Sequence, residues 1–144
     1  MVLIIFIVAG SIGAVLILSK KPPSLPPMAH TIQIVNGTAT VNASAYVDYV
    51  FSIPPGASSI HVSGNFTVQA SRGSGIIVYI FDSTNFDNYE IGAYFGALYQ
   101  SSQTTTALIS SNLDSNGTYY LVLDNTLSTA AQTVNIQANA TYYT

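Results

Sequence analysis

From Thr31 onward apolar residues recur at every second position, and that period decides what kind of element this chain can build. Val47, Tyr49, Phe51 and Ile53 alternate with Asp48 and Ser52, and Ile60, Val62, Phe66 and Val68 alternate with His61, Ser63, Asn65, Thr67 and Gln69. Near the end, Val134, Ile136, Ala138 and Ala140 are out of phase with Asn135, Gln137, Asn139 and Thr141. Successive side chains of a strand point to opposite faces, so each stretch reads as a half-buried antiparallel strand. Ile76 to Phe81 and Tyr119 to Leu123 are apolar throughout, which predicts central strands covered on both faces. Pro54-Pro55-Gly56 predicts a turn, and Asn36-Gly37 and Asn116-Gly117 carry the dipeptide of tight hairpin turns. Between Thr84 and Gln100 the alternation fails, which predicts a loop with a short helical turn. About eight strands result, and the expected architecture is a jelly-roll-like antiparallel β-sandwich.

Ahead of this domain lies an uncharged apolar run, Val2 to Leu18. As a helix it would be about 26 Å long, near the lower limit for crossing a hydrocarbon core of about 30 Å. Lys20 to Pro27 (KKPPSLPP) follows; its prolines fix φ and favour extended neighbours, so it reads as a stiff linker that ends any helix near Ser19. The expected organisation is therefore mainly β: an apolar α-helix over 1–19, a proline-rich linker over 20–29, and a sandwich over 30–144. A cleaved signal peptide normally has a basic region before its apolar core and a small-residue cleavage site after it, and neither is found here. The run is expected to be retained, as a membrane anchor or as the packing helix of an assembly. Ala9, Gly10, Gly13 and Ala14 are small enough for close helix approach. Lys20 and Lys21, just behind the run, favour a cytoplasmic domain by the positive-inside rule, against the extracellular placement argued below.

Only 6% of the residues are charged, three basic and six acidic, where soluble domains usually carry about 25%. Ser, Thr, Asn, Gln and Tyr take their place, solvating the surface without ionising and leaving little to repel a neighbouring copy. The absence of cysteine excludes disulfides and thiolate metal sites. Three basic residues cannot form the clustered positive patch that nucleic acid requires.

Five Asn-x-Ser/Thr sequons occur, at Asn36, Asn42, Asn65, Asn116 and Asn139. Those at Asn36 and Asn116 are expected at turns and the other three on the solvent phase of strands, where an N-linked glycan has room. Glycosylation there would place the domain outside the cytoplasm. Asp82, Asp87 and Glu90 lie in FDSTNFDNYE, but Thr84 and Phe86 occupy positions where an alternating calcium loop wants acids, and the stretch reads as a solvated loop. His30 and His61 read as surface residues with no oriented partner. No Gly-x-Ser-x-Gly elbow is present, and Ser74 in Arg72-Gly73-Ser74-Gly75 belongs to a strand-entry turn. Neither a catalytic residue nor a cofactor site is indicated, so an enzyme is not expected. Of ten tyrosines, Tyr46, Tyr143 and one of Tyr94 and Tyr99 are expected to be free for subunit or carbohydrate contact.

Gly117-Thr118-Tyr119-Tyr120-Leu121-Val122-Leu123-Asp124-Asn125-Thr126, with Gln132-Thr133-Val134 after it, resembles the closing hairpin of Golgi-dynamics-type β-sandwich domains and of related jelly-roll domains in prokaryotic secreted proteins. The resemblance covers roughly residues 45 to 140 and implies a binding or structural module. The family's eukaryotic members carry a cysteine pair and a C-terminal membrane helix; this chain has no cysteine and its apolar segment is N-terminal, so a trafficking role is not carried over. The order of parts also resembles archaeal type IV pilin-like subunits, in which apolar N-terminal helices bundle inside a filament and β-domains form its sheath. The run here is shorter than the usual pilin helix, and no basic processing site precedes it. Two readings follow. One is a subunit of a glycosylated surface filament that self-associates through its helix. The other is a single-span accessory or adhesion protein of an envelope or virion complex.

Overall fold

The computed structural model describes residues 25–69 and 75–144. They form β1 (Ala29–Val41), β2 (Tyr46–Ile53), β3 (Ser58–Gln69), β4 (Ile77–Asp82), α1 (Ser83–Glu90), β5 (Tyr99–Gln100), β6 (Thr106–Leu113), β7 (Gly117–Asp124) and β8 (Gln132–Tyr143). The apolar run Val2 to Leu18, with Ala9, Gly10, Gly13 and Ala14, and linker residues 20 to 24 lie outside the described residues.

The strands form two four-stranded antiparallel sheets, sheet A in the order β1-β8-β3-β6 and sheet B in the order β2-β7-β4-β5. Their logic is a long ribbon: β1 pairs with β8, β2 with β7, β3 with β6, and β4 with β5. The ribbon rolls up until β3 also meets β8 and β4 also meets β7. This is the jelly-roll sandwich that the strand count and alternation predict.

Between the sheets lies the core. Ile60, Val62, Phe66 and Val68 from β3 and Val134, Ile136, Ala138 and Ala140 from β8 meet Phe51, Ile53, Val78, Ile80, Leu121 and Leu123 from sheet B. The inward residues are those of the apolar phase in each alternating stretch. β4 and β7 are apolar on both phases because sheet B is covered twice. Its outer face carries Tyr79, Phe81 and Val122, and on these lie Phe86 and Tyr89 of α1 with Phe95 of the loop after it. Phe86 stacks on Tyr120 at 3.9 Å between ring centroids, and Phe95 meets Phe81 edge-on at 5.3 Å.

Helix α1 begins where it does because Asp82 caps it: its carboxylate accepts from the Asn85 backbone N–H at 2.8 Å. FDSTNFDNYE is thus the end of β4, a capped helix and the cover of sheet B, and not the solvated loop its polar composition predicts. Phe86 and Tyr89, at helical spacing, hold it to the sheet. At Pro54-Pro55-Gly56 the predicted turn is present: Ala57 N–H donates to the Pro54 carbonyl and Gly56 takes φ +83°.

Two local expectations are corrected. Asn36-Gly37 is not a turn but the middle of β1, paired with Gln137 and Ile136. The ladder with β8 extends from Ala29 to Val41, with a register shift between Gln33 and Val35, and it overrides the dipeptide's turn preference. Nor do residues 117–134 form a hairpin. β7 belongs to sheet B and β8 to sheet A, so the connection crosses the sandwich. Asn125, buried at this crossing, donates from Nδ2 to the carbonyls of Val41, Asn42 and Ala130 and ties the β1–β2 turn to it.

Candidate functional site: an uncharged sheet face

The four strands of sheet A contain no Asp, Glu, Lys or Arg. Every acidic residue among the described ones lies elsewhere: Asp48 on β2, Asp82 and Asp124 at the ends of β4 and β7, Asp87 and Glu90 on α1, and Asp114 before β7. The outer face of sheet A is instead built in rows of amides and hydroxyls. Asn36, Gln137, Asn65 and Leu108 lie across β1, β8, β3 and β6 in one row, and Thr38, Asn135, Thr67 and Thr106 in the next. Opposite them in phase, the buried residues of the same strands anchor the face to the core.

Hydrogen bonds cross-link the rows. Asn135 Oδ1 accepts from Thr38 Oγ1 at 2.6 Å and from Gln69 Nε2 at 2.9 Å, binding β1, β8 and β3 together. His61 Nδ1 and Asn112 Oδ1 lie 2.8 Å apart at the far end of the face. His30 Nε2 lies 2.9 Å from Thr144 Oγ1, and its ring stacks on Tyr142. Both histidines are thus bonded to neutral partners.

Three of the five sequons meet on this face. Asn36-Gly37-Thr38 on β1 and Asn65-Phe66-Thr67 on β3 flank the same β8 residues, Gln137 and Asn135. Two strand spacings separate Asn36 from Asn65, about 10 Å. Between them lies an open groove of about 460 Å³ lined by both sequons' Asn and Thr together with Asn135, Ile136 and Gln137. Asn139 is half-buried one row away, with its sequon threonine, Thr141, donating to the His61 carbonyl at 3.3 Å. Asn42 and Asn116 are exposed in the β1–β2 and β6–β7 turns. Asn42 is therefore at a turn and Asn36 on a strand, the reverse of the sequence expectation.

Chemically, this face offers carboxamides and hydroxyls with solvent access, and its imidazole, His61, is turned to the Asn112 amide. Among the described residues no cluster of three or more His, Asp or Glu is placed to hold a metal ion, and no helix is long and apolar enough to cross a membrane.

The tyrosines divide differently from expectation. Tyr46 is not free: its hydroxyl donates to Glu90 Oε1 at 2.8 Å, and its ring packs edge-on against Phe86 and Tyr89. That hydrogen bond, then burial and the nearby acids, push its pKa up to about 12. Burial, then the charge of Asp124, raises Tyr89. Tyr99 donates to the Leu108 carbonyl at 2.6 Å, which leaves Tyr94, 95% exposed, and Tyr143 as the open tyrosines of the expected set. Leu108, 78% exposed on the polar face, carries no signal in the sequence, because an apolar residue on the solvent phase of a strand looks like noise in the alternation.

No protein-family model and no curated protein matches the chain. Among solved structures it is similar to the pre-peptidase C-terminal domain of a collagenase from Bacillus anthracis, with a TM-score of 0.43 and 10% identity over 78% of this chain and 88% of that one. It is also similar to a protein of Bacillus endospore appendages, described as a family of disulfide-linked pili, with a TM-score of 0.45 and 18% identity over 82% of this chain and 88% of that one. Both are distant likenesses, and this chain has no cysteine with which to form a disulfide link.

Proposed function

We propose that the protein is a non-enzymatic structural subunit of a glycosylated extracellular filament, with the apolar segment packed among its copies inside and the sandwich displayed outside. The observation that carries this reading is the outer face of sheet A: a face with no charged residue on which the sequons of Asn36, Asn65 and Asn139 converge. Neutral amides and hydroxyls bring no Coulomb repulsion between crowded copies, and they form no constellation for nucleophilic or acid–base chemistry. N-linked glycans at the three asparagines would stand perpendicular to the sheet and cover that face. A glycosylated sandwich lies outside the cytoplasm, and the apolar segment Val2 to Leu18 supplies the self-associating core through Ala9, Gly10, Gly13 and Ala14.

Deleting the gene and imaging the cell surface by negative-stain electron microscopy tests this. The reading predicts loss of one filament type and its return on complementation, with Gly13→Asp failing to restore it. Filaments unchanged by the deletion would overturn the reading in favour of a single-span accessory protein.

A further inference from the structure

Two sheets have four outer edges, and three of these are guarded within the molecule. β2 carries Asp48 and runs into Pro54-Pro55, and β5 is 2 residues long. On β6 the Thr104 hydroxyl bonds both the N–H and the carbonyl of Thr106, and the Tyr99 hydroxyl caps the Leu108 carbonyl. The fourth edge, β1, has 13 residues and no charge or proline.

The outward groups of β1 can be named. Met28 and Thr144 exchange both of their backbone hydrogen bonds, and along an antiparallel ladder such pairs alternate with pairs that exchange none. Beyond the register shift at Gln33/Val35 this count makes Val35, Gly37 and Ala39 bond inward, to Ala138, Ile136 and Val134. Asn36, Thr38 and Thr40 therefore turn their N–H and C=O groups away from β8, and these groups have no partner among the described residues.

We propose that the β1 edges of two copies pair antiparallel about a two-fold axis at Thr38, joining two A sheets into one. The contact uses only the sandwich, so it goes beyond the filament reading and does not depend on it. A two-fold contact sets a surface against itself, so any charge beside the axis would face its own kind. β1 has none, which fits it to a second copy of this chain. In this register Asn36 faces Thr40 of the second copy and Thr38 faces Thr38, each pair exchanging both backbone bonds. Gly37 and Ala39 flank the axis in the other phase, and an added Cβ at Gly37 would meet nothing within 4 Å, so no bulk holds the second strand off. The stretch before the register shift is preceded by Pro26-Pro27 and is the poorer edge. Side chains stand perpendicular to the sheet, so a glycan at Asn36 would leave the edge open.

The absence of cysteine makes the test clean. Full-length chain carrying Thr38→Cys, Thr40→Cys or Ser110→Cys is oxidised and run on non-reducing gels. Across the axis the two Thr38 Cα atoms would be about 5.5 Å apart, within disulfide reach, and the two Thr40 Cα atoms about 14 Å. Thr38→Cys should give a covalent dimer that collapses on reduction, while Thr40→Cys on the same edge and Ser110→Cys on β6 remain monomeric. No dimer from Thr38→Cys overturns the pairing, and so does as much dimer from either control. Hydrogen exchange of the wild-type chain reads the same contact without a substitution. The amides of Asn36, Thr38 and Thr40 should be protected in concentrated protein and lose that protection on dilution. Fast exchange at all three in concentrated protein, beside slow exchange at Val35, Gly37 and Ala39, would show a solvated edge and overturn the proposal.

Discussion

At Gly64 an added Cβ would collide with the Gln137 carbonyl oxygen and come within 2.8 Å of Ala138 Cα. Both neighbours are backbone of β8, which is locked between β1 and β3, so neither can swing aside. Gly64→Ala should therefore lower stability by about 1–3 kcal/mol, read as a lower denaturant midpoint at unchanged slope. An unchanged midpoint would mean the two strands lie less closely than described. Tyrosine ionisation gives a second residue-scale test. Tyr46, Tyr49, Tyr79, Tyr89 and Tyr99 all have raised pKa values, Tyr46 to about 12 through its bond to Glu90 and the others mainly through burial. A raised folded value means the neutral form is favoured in the native state. This contribution is complete below the unfolded value of about 10 and is lost as pH rises through the folded values. Absorbance titration at 295 nm should show these five of the ten tyrosines ionising late in native protein and all ten together in denaturant. Coincident native and denatured curves would contradict the packing of the aromatic layer.

Among the elements, α1 depends most on a single residue. Its 8 residues are too few to be stable as an isolated helix. The Asp82 cap and the burial of Phe86 hold it in place. Asp82→Ala should cost about 1 kcal/mol and open the cover over sheet B, seen as faster hydrogen exchange across 83–95 with the core strands unchanged. Uniform loss of protection would show instead that α1 and the sandwich unfold as one unit. The elements also show what could be read from the chain. Period two located β2, β3 and β8 and their buried faces, and the unbroken apolar runs marked β4 and β7 as covered on both sides. Partners and register were not legible, because alternation tells which face a residue takes and not which strand it meets. Asn36-Gly37 misled because turn preference is local, whereas the twelve paired residues of the β1–β8 ladder are a property of the whole sheet. The sequons were legible as motifs, but the meeting of those of Asn36 and Asn65 in one groove depends on β1 and β3 both pairing with β8. That pairing joins residues as far apart in sequence as Ala29 and Tyr143.

As a whole, the molecule has two unlike sides. One is a neutral sheet with sequons on its face and uncharged strands at both edges. The other is an acidic sheet with guarded edges and a helix packed over it. That asymmetry is what a repeating subunit needs: a side that tolerates close copies, and a side whose charge keeps the assembly in solution. Because the proposed contacts hold no ion pair, filament assembly should change little between low and high salt. A helical reconstruction of the native filament from electron micrographs separates a filament subunit from a membrane-anchored one. It should show the sandwich on the outside, density for glycans beyond Asn36, Asn65 and Asn139, and residues 2 to 18 packed among identical copies at the axis. Residues 2 to 18 found in lipid or among unrelated chains, with no helical repeat of this subunit, would contradict the account.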